Sequence, residues 1–289
     1  MGGRNSYPAD VPVAVITDST ACLPEQLAAQ WGISVVQLLI EANGRIDDES
    51  RFDRAELVET LRAGKPVTTS PPDPGAFFWT YQDAVSAGAE AIVSVHISRR
   101  LSATAEAARE AAQQVRVPVH VIDSATTSMS LGFAALSAAR AAAAGAGPQR
   151  VVETAQRRSS ASREFIYVDT LEYLRRGGRI GRAAALLGSA LALKPLLTVQ
   201  DGEVTALTKA SGSRRALSKL ADLAVAEAGD RAVDIAVASA TPSDRELSLV
   251  EQLRGRIPRL NDIMLVNAST VITAHVGPEA LGITVAPVP

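Results

Sequence analysis

A chain of 289 residues with 47% hydrophobic and 21% charged side chains can bury one large core or two smaller ones, and its composition is that of a soluble globular protein. Its net charge of −2 offers no global attraction to nucleic acid or to an anionic membrane, so any such contact would have to be local. The single cysteine, Cys22, excludes an intrachain disulfide and suits a reducing, cytoplasmic setting; with only three histidines beside it, a zinc site is not expected.

Residues 1–11 lack the apolar stretch of a signal peptide, and no run approaches the roughly 18 uncharged apolar residues of a membrane span. Val13–Thr17 reads as a strand and Pro24–Trp31 as a short helix stopped by Gly32. Cys22, between them, reads as a small semi-buried filler. Ile33–Ile40 reads as a second strand, with a turn at Asn43-Gly44. A helix over 54–63, a proline-rich loop over 66–74 and a helix to about residue 87 follow. Ala91–Ile97 and Val119–Ile122 read as buried strands, separated by a helix over 102–115 and followed by one over Ser128–Ala144. This rhythm predicts a parallel sheet with helices on both faces.

Gly145–Pro148 breaks the pattern, and a connecting helix over 149–160 leads to a unit of different character. It starts with Arg163–Val168, turns at Gly177-Gly178, and continues with an apolar helix over 182–193 and a hairpin about Asp201-Gly202. A helix over 213–228, a strand over 232–238, a helix over 243–254 and strands over 262–266 and 281–286 complete it. The expectation is an α/β protein with an N-terminal unit at 1–160 and a C-terminal mixed-sheet unit at 161–289.

In open parallel sheets ligands bind beyond the carboxyl ends of the strands, and Asp18, Ser98 and Asp123 each follow a strand directly. Every polar segment there has a plainer reading. Asp18-Ser19-Thr20 can cap the next turn, and Ser102 and Thr104 can cap the helix they open. The same helix start also favours an anion, so one segment can serve both purposes. Thr69-Ser70-Pro71-Pro72 is either a stiff loop or a presentation of hydroxyls. His275 is either a hydrogen-bonded core residue or a ligand-facing one. Arg175, Arg176, Arg179 and Arg182 form either a solvated face or a receptor for an acidic group or a phosphate. Neither a Gly-x-Ser-x-Gly elbow nor a phosphate-binding Gly-x4-Gly-Lys-Ser/Thr loop occurs, which favours a carrier over a catalyst.

Together these segments resemble the DegV family of bacterial fatty-acid-binding proteins. The resemblance rests on Thr17-Asp18-Ser19-Thr20, Thr69–Asp73, Ser98–Thr104, Val121–Ser124, Tyr173–Ile180 and His275–Pro278, and it spans essentially the whole chain. It implies a two-domain DegV-like α/β fold with one long-chain fatty acid, such as palmitate or oleate, buried between the domains and no other cofactor. It also implies a non-catalytic role: the acyl carboxylate is presented to a separate ATP-dependent fatty acid kinase, which makes the acyl phosphate for phospholipid metabolism. Transient membrane contact for lipid exchange is compatible with that role. By the same resemblance Thr69, Ser98, Arg99, Ser102 and His275 hold the carboxylate. Asp18, Ser19, Ser70, Thr104, Asp123 and Ser128 support them, and Arg175, Arg176 and Arg179 face the kinase or the new phosphate. Arg99 stands where the family has a serine, so it either pairs the carboxylate or points outward. Asp73 and Glu279 also depart from the family pattern and are expected to point away from the ligand. Two other readings stay open: a small-molecule kinase subunit resembling dihydroxyacetone kinases, with His275 forming a covalent adduct, and a lipid sensor without a kinase.

Overall fold

The computed structural model of the protein describes residues 11–186 and 193–288. The first strand, β1 (Val13–Asp18), is followed by a 3-10 turn, helix α1 (Glu25–Gln30) and strand β2 (Ile33–Val36). The chain then leaves that sheet. Strand β3 (Leu39–Ala42) pairs with β4 (Arg45–Asp48) across Asn43-Gly44, both of positive φ as a type I′ turn demands. Helix α2 (Arg54–Arg62), capped by Asp53, leads to β5 (Val67–Ser70), the third member of this small antiparallel sheet. Sequence reasoning merged β2 with β3 and took β5 for loop. Its four residues alternate between partly buried and exposed and precede prolines, so they carry little apolar signal.

Helix α3 (Pro74–Ser86), strand β6 (Ala91–His96), helix α4 (Thr104–Ala112) and strand β7 (Val119–Asp123) complete a parallel sheet of order β2-β1-β6-β7. Helix α5 (Ser128–Ala143) is buried along almost its whole length, as a helix apolar on every face must be. It packs on β1 and β6 on one side and β13 (Leu281–Pro287), the last strand, on the other. Gly132 permits the approach, since a Cβ there would lie 2.5 Å from the Ala21 carbonyl oxygen. Cys22 is fully rather than partly buried, and burial pushes its thiol up to about 12.

Helix α6 (Pro148–Ala161) crosses to β8 (Arg163–Tyr167), and α7 (Glu172–Arg176) carries Arg175 and Arg176, with Arg179 in the turn after it. The expected helix over 182–193 is a 3-10 turn over Gly181–Leu186; residues 187–192 lie outside the described residues, and Leu193 already belongs to the next strand. Strands β9 (Leu193–Gln200) and β10 (Glu203–Ser211) form the expected hairpin. Helix α8 (Ser213–Ala228), strand β11 (Val233–Ser239), helix α9 (Asp244–Arg256), strand β12 (Leu260–Asn267) and helix α10 (Thr270–Val276) precede β13. The second sheet has the order β10-β9-β8-β13-β11-β12 and is mixed: β11 and β12 run parallel, the other pairs antiparallel. Arg158 of α6 forms a buried ion pair with Asp234 of β11, tying the connecting helix to this sheet.

One hydrophobic cluster joins the two halves, running from Val15 and Val93 through Met129 and Leu136 to Ala236, Ala238 and Ala286. The small sheet is fastened to the second half by Glu49, which follows β4. Its carboxylate accepts from Ser269 Oγ at 2.9 Å, Thr270 Oγ1 at 2.9 Å and the Thr270 amide, capping α10. Arg54 of α2 adds a bond to the Ala268 carbonyl. The strand bearing Thr69 and the helix bearing His275 are thereby held together.

Candidate functional site

At the carboxyl edge of the parallel sheet the acidic side chains are already occupied. Asp18 accepts from the Ile97 amide at 3.0 Å and the Thr20 amide at 3.0 Å, and Asp123 accepts from the amides of Arg99 at 3.2 Å and Ala125 at 2.9 Å. Asp18 also contacts His96 Nδ1 at 3.0 Å, His96 Nε2 lies 2.6 Å from Ser94 Oγ, and Tyr81 donates to Ser94 at 2.9 Å. This Asp-His-Ser array was not anticipated, because its members lie on two strands. Asp18, Ser94, His96 and Tyr81 are completely buried and line none of the described cavities, so the array is a core network rather than a nucleophile site.

A different group meets where β5 approaches α10. Thr69 Oγ1 lies 2.7 Å from His275 Nε2, across 206 residues of sequence. Burial, reinforced by the positive charge of Arg179, holds the His275 pKa down at about 4, so the ring is neutral at physiological pH. Its Nδ1 is buried against Gly177 and has no hydrogen-bond partner among the described residues. Gly277 ends α10 with φ +92 and packs on the Tyr173 ring, where a Cβ would lie 2.6 Å from Cδ2. Tyr173 in turn donates to the Leu61 carbonyl at 3.1 Å. The two glycine segments singled out in the sequence therefore pack on each other, and both need the space a side chain would take.

Arg179 completes the group. Its Nε donates to the Leu101 carbonyl at 3.0 Å and its Nη1 to the Gly177 carbonyl at 2.8 Å. No carboxylate among the described residues forms an ion pair with it, which leaves a fixed cation available to an anion.

Thr69, His275 and Arg179 stand between two spaces. Inward lies a cavity with about 930 Å³ of empty volume, its mouth included. Its walls are mostly aliphatic, drawn from the small sheet, the β6–α4 loop, β8, β11, α10 and β13. Ser70, Ser102 and Ser128 also line it. Outward lies a groove of about 880 Å³ bordered by Lys65, Arg176, Arg179 and the same Thr69–His275 pair. An apolar chamber and a basic groove thus share one polar partition. Such a partition can hold the head group of an amphiphile, with its tail buried and its charge turned to the groove.

The structure separates the other sequence-derived candidates. Ser98 does not line the cavity: it is fully buried and donates to the Gly202 carbonyl at 2.8 Å, in a contact that the missing side chain of Gly202 permits. Arg99 points outward, its guanidinium 3.5 Å from Asp123. Ser19 Oγ accepts from the Leu38 amide at 3.1 Å, and Thr104 Oγ1 meets Ser102 Oγ at 2.8 Å, so both support the loops rather than face the cavity. Arg175 and Arg176 both bind Glu172, and only Arg176 borders the groove. Asp73 caps α3, and Glu279 pairs with Arg62 at 2.9 Å. Sequence reasoning did not pick out Thr127, Glu164 or Lys65. Glu164 lies in an apolar strand, where a carboxylate between Arg163 and Phe165 reads as an edge residue.

Residues 12–288 match the sequence profile of the DegV family, which is described as uncharacterised. A DegV domain-containing protein of Streptomyces coelicolor is 42% identical, the alignment covering 94% of this chain and 98% of that one. One from Deinococcus radiodurans is 36% identical, over 95% and 98%. Among solved structures, a Thermus thermophilus DegV family protein described as binding fatty acid superposes with a TM-score of 0.91 at 30% identity, covering 96% of this chain and 100% of that one. The Bacillus subtilis DegV, described as a fatty acid binding protein, gives 0.87 at 27%, over 96% and 100%. By profile, sequence and fold, this chain belongs to the DegV family.

Proposed function

We propose that this protein binds one long-chain fatty acid in the inner cavity and presents its carboxylate at the Thr69–His275–Arg179 partition to a separate ATP-dependent kinase. The observation that carries this reading is the shared partition: a mostly aliphatic chamber ends at a neutral histidine, a hydroxyl and an arginine with no carboxylate partner among the described residues, with a basic groove on the far side. The ligand would lie between the units 1–160 and 161–289. Fatty-acid binding by the Thermus and Bacillus relatives supports it.

The chemistry follows from the groups. Each buried CH2 contributes about 0.8 kcal/mol, so the tail supplies the affinity. An ionised head cannot be buried unpaired, and here Arg179 supplies charge and Thr69 a hydroxyl. With its proton on Nε2, His275 donates to Thr69 Oγ1 and leaves the threonine O–H free for a carboxylate oxygen. Ser70 and Ser102, on the cavity wall, are in position to add donors. The other carboxylate oxygen faces the groove, where it can attack the γ-phosphorus of ATP held by the kinase as ADP leaves. Lys65, Arg176 and Arg179 then offset the charge gained.

Native and denaturing mass spectrometry of protein purified from a heterologous host tests the binding step. The expected result is a native adduct with the mass of a common fatty acid that is lost on denaturation. Protein that stays empty after incubation with palmitate and oleate would overturn the reading, and an adduct surviving denaturation would favour covalent attachment at His275.

A further inference from the structure

The cavity wall is not apolar throughout. Glu164 of β8 lines it, in register with Thr284 of β13, three residues or roughly 10 Å along that strand from Leu281, another lining residue. Its Oε2 accepts from Thr284 Oγ1 at 2.6 Å and Ser130 Oγ at 3.0 Å, while Oε1 passes beside Gly282, where a Cβ would lie 3.0 Å away. A larger residue at 282 would press on the carboxyl group. Thr127 and Ser128 line the same cavity. Thr127 stands at the N-cap of α5, yet its hydroxyl does not cap the helix; Oγ1 is buried, in a residue only 7% exposed, and has no partner among the described residues.

A methyl-terminated acyl chain fits this part of the wall badly. It would offer no partner to the Glu164 carboxyl group and leave Thr127 Oγ1 unpaired, and a buried hydroxyl without a partner is costly. A second carboxylate fits worse, because among the described residues the only arginine or lysine lining the cavity is Arg179, which also borders the groove. A neutral hydroxyl suits both groups, since it can donate to Glu164 and accept from Thr127.

We propose that Glu164, Thr127 and Ser128 form a second polar subsite on the cavity wall, which takes a hydroxyl group carried on the distal part of the acyl chain. The preferred ligand is then a hydroxy fatty acid rather than a plain one. This deepens the fatty-acid reading above and rests on it. Burial holds the Glu164 carboxyl up at about 7, so near neutral pH it exists both as a carboxylate that accepts a hydroxyl hydrogen and as an acid that donates one.

The test is calorimetric titration of the delipidated full-length protein with palmitic acid and ω-hydroxypalmitic acid, repeated with the lauric and stearic pairs because the matching chain length is set by the cavity. At one length or more the hydroxy acid should bind about tenfold tighter than its plain homologue, the increment of one good hydrogen bond. Thr127→Val, which keeps the shape of the side chain, and Glu164→Leu should each erase or reverse that preference while retaining the plain acid. If Glu164→Leu does not fold, Thr127→Val decides alone. Plain acids binding as tightly as hydroxy acids at every length would overturn the subsite and leave the carrier reading intact. Binding of neither class would overturn both.

Discussion

Gly177 lies so close to His275 that a Cβ at position 177 would sit 2.1 Å from the imidazole Nδ1. The glycine has φ −75, which any residue adopts, so its backbone does not require glycine; the histidine does. Gly177→Ala should therefore push the ring away from Thr69 rather than distort α7. The expected outcome is a loss of retained fatty acid of at least about tenfold, with a stability cost of about 1–3 kcal/mol from overpacking. Ligand occupancy by native mass spectrometry, set beside a urea unfolding curve, checks it. Full occupancy in a folded variant would show that the ring can yield without consequence.

Thr69 offers a cleaner separation of shape from hydrogen bonding. Thr69→Val keeps the branched side chain in β5 but removes the partner of His275 Nε2. Thr69→Ser keeps the hydroxyl. Retention of palmitate should fall about tenfold in the valine variant and stay within about threefold of the parent in the serine variant. Equal losses in both would assign the effect to packing.

The parallel sheet was legible because Ala91–His96 and Val13–Asp18 are short apolar runs between clear helix stops. The small sheet was not. β4 and β5 are exposed or half-exposed and owe their pairing to β3, while β3 itself is held by Val271 and Leu57 beneath Ile40. Thr69 and His275 could be marked as polar residues in unusual places, but local pattern says nothing about contact across 206 residues. Ser98 shows the opposite failure. Its position after β6 suggested a ligand contact, yet a hairpin turn from the second sheet, at Gly202, claims its hydroxyl. Glu164 was missed because its partners Ser130 and Thr284 come from elements 34 and 120 residues away.

Glu49 tests how the partition is held. Its buried carboxylate is bound to the start of α10, and α10 carries His275 at its other end. Glu49→Ala leaves the α10 amide and two hydroxyls without their acceptor and should cost about 2–4 kcal/mol of stability. Ligand retention should fall with it. Chemical denaturation with and without palmitate measures both. A variant of parental stability would show that the cap is dispensable.

Arg176 borders the groove but not the cavity, and Glu172 already neutralises part of its charge. Arg176→Glu should leave the fatty acid in place and slow acyl-phosphate formation at least about tenfold when a cognate kinase is supplied, because a like charge is set against the incoming phosphate. Unchanged turnover would remove Arg176 from the docking face. Loss of the lipid as well would instead indicate damage to α7.

The pH dependence of stability should carry two opposed signatures. Burial raises the Glu164 pKa from its usual 4.5 to about 7, so between those values the folded chain keeps a proton that the unfolded chain releases. That contribution is fully present below about 4.5 and is lost as pH rises through about 7. His275 works the other way. Burial and then Arg179 lower its pKa from 6.5 to about 4, so stability is present above about 6.5 and is lost as pH falls towards 4. Glu164→Gln should flatten the decline on the alkaline side and leave the acid-side decline in place, as read from urea midpoints across pH 4 to 8. The comparison between variants matters more than either curve, since other carboxylates titrate below about pH 5 in both proteins. Parallel curves for the two proteins would mean that Glu164 does not change its charge in this range, and that its hydroxyl neighbours hold one form throughout.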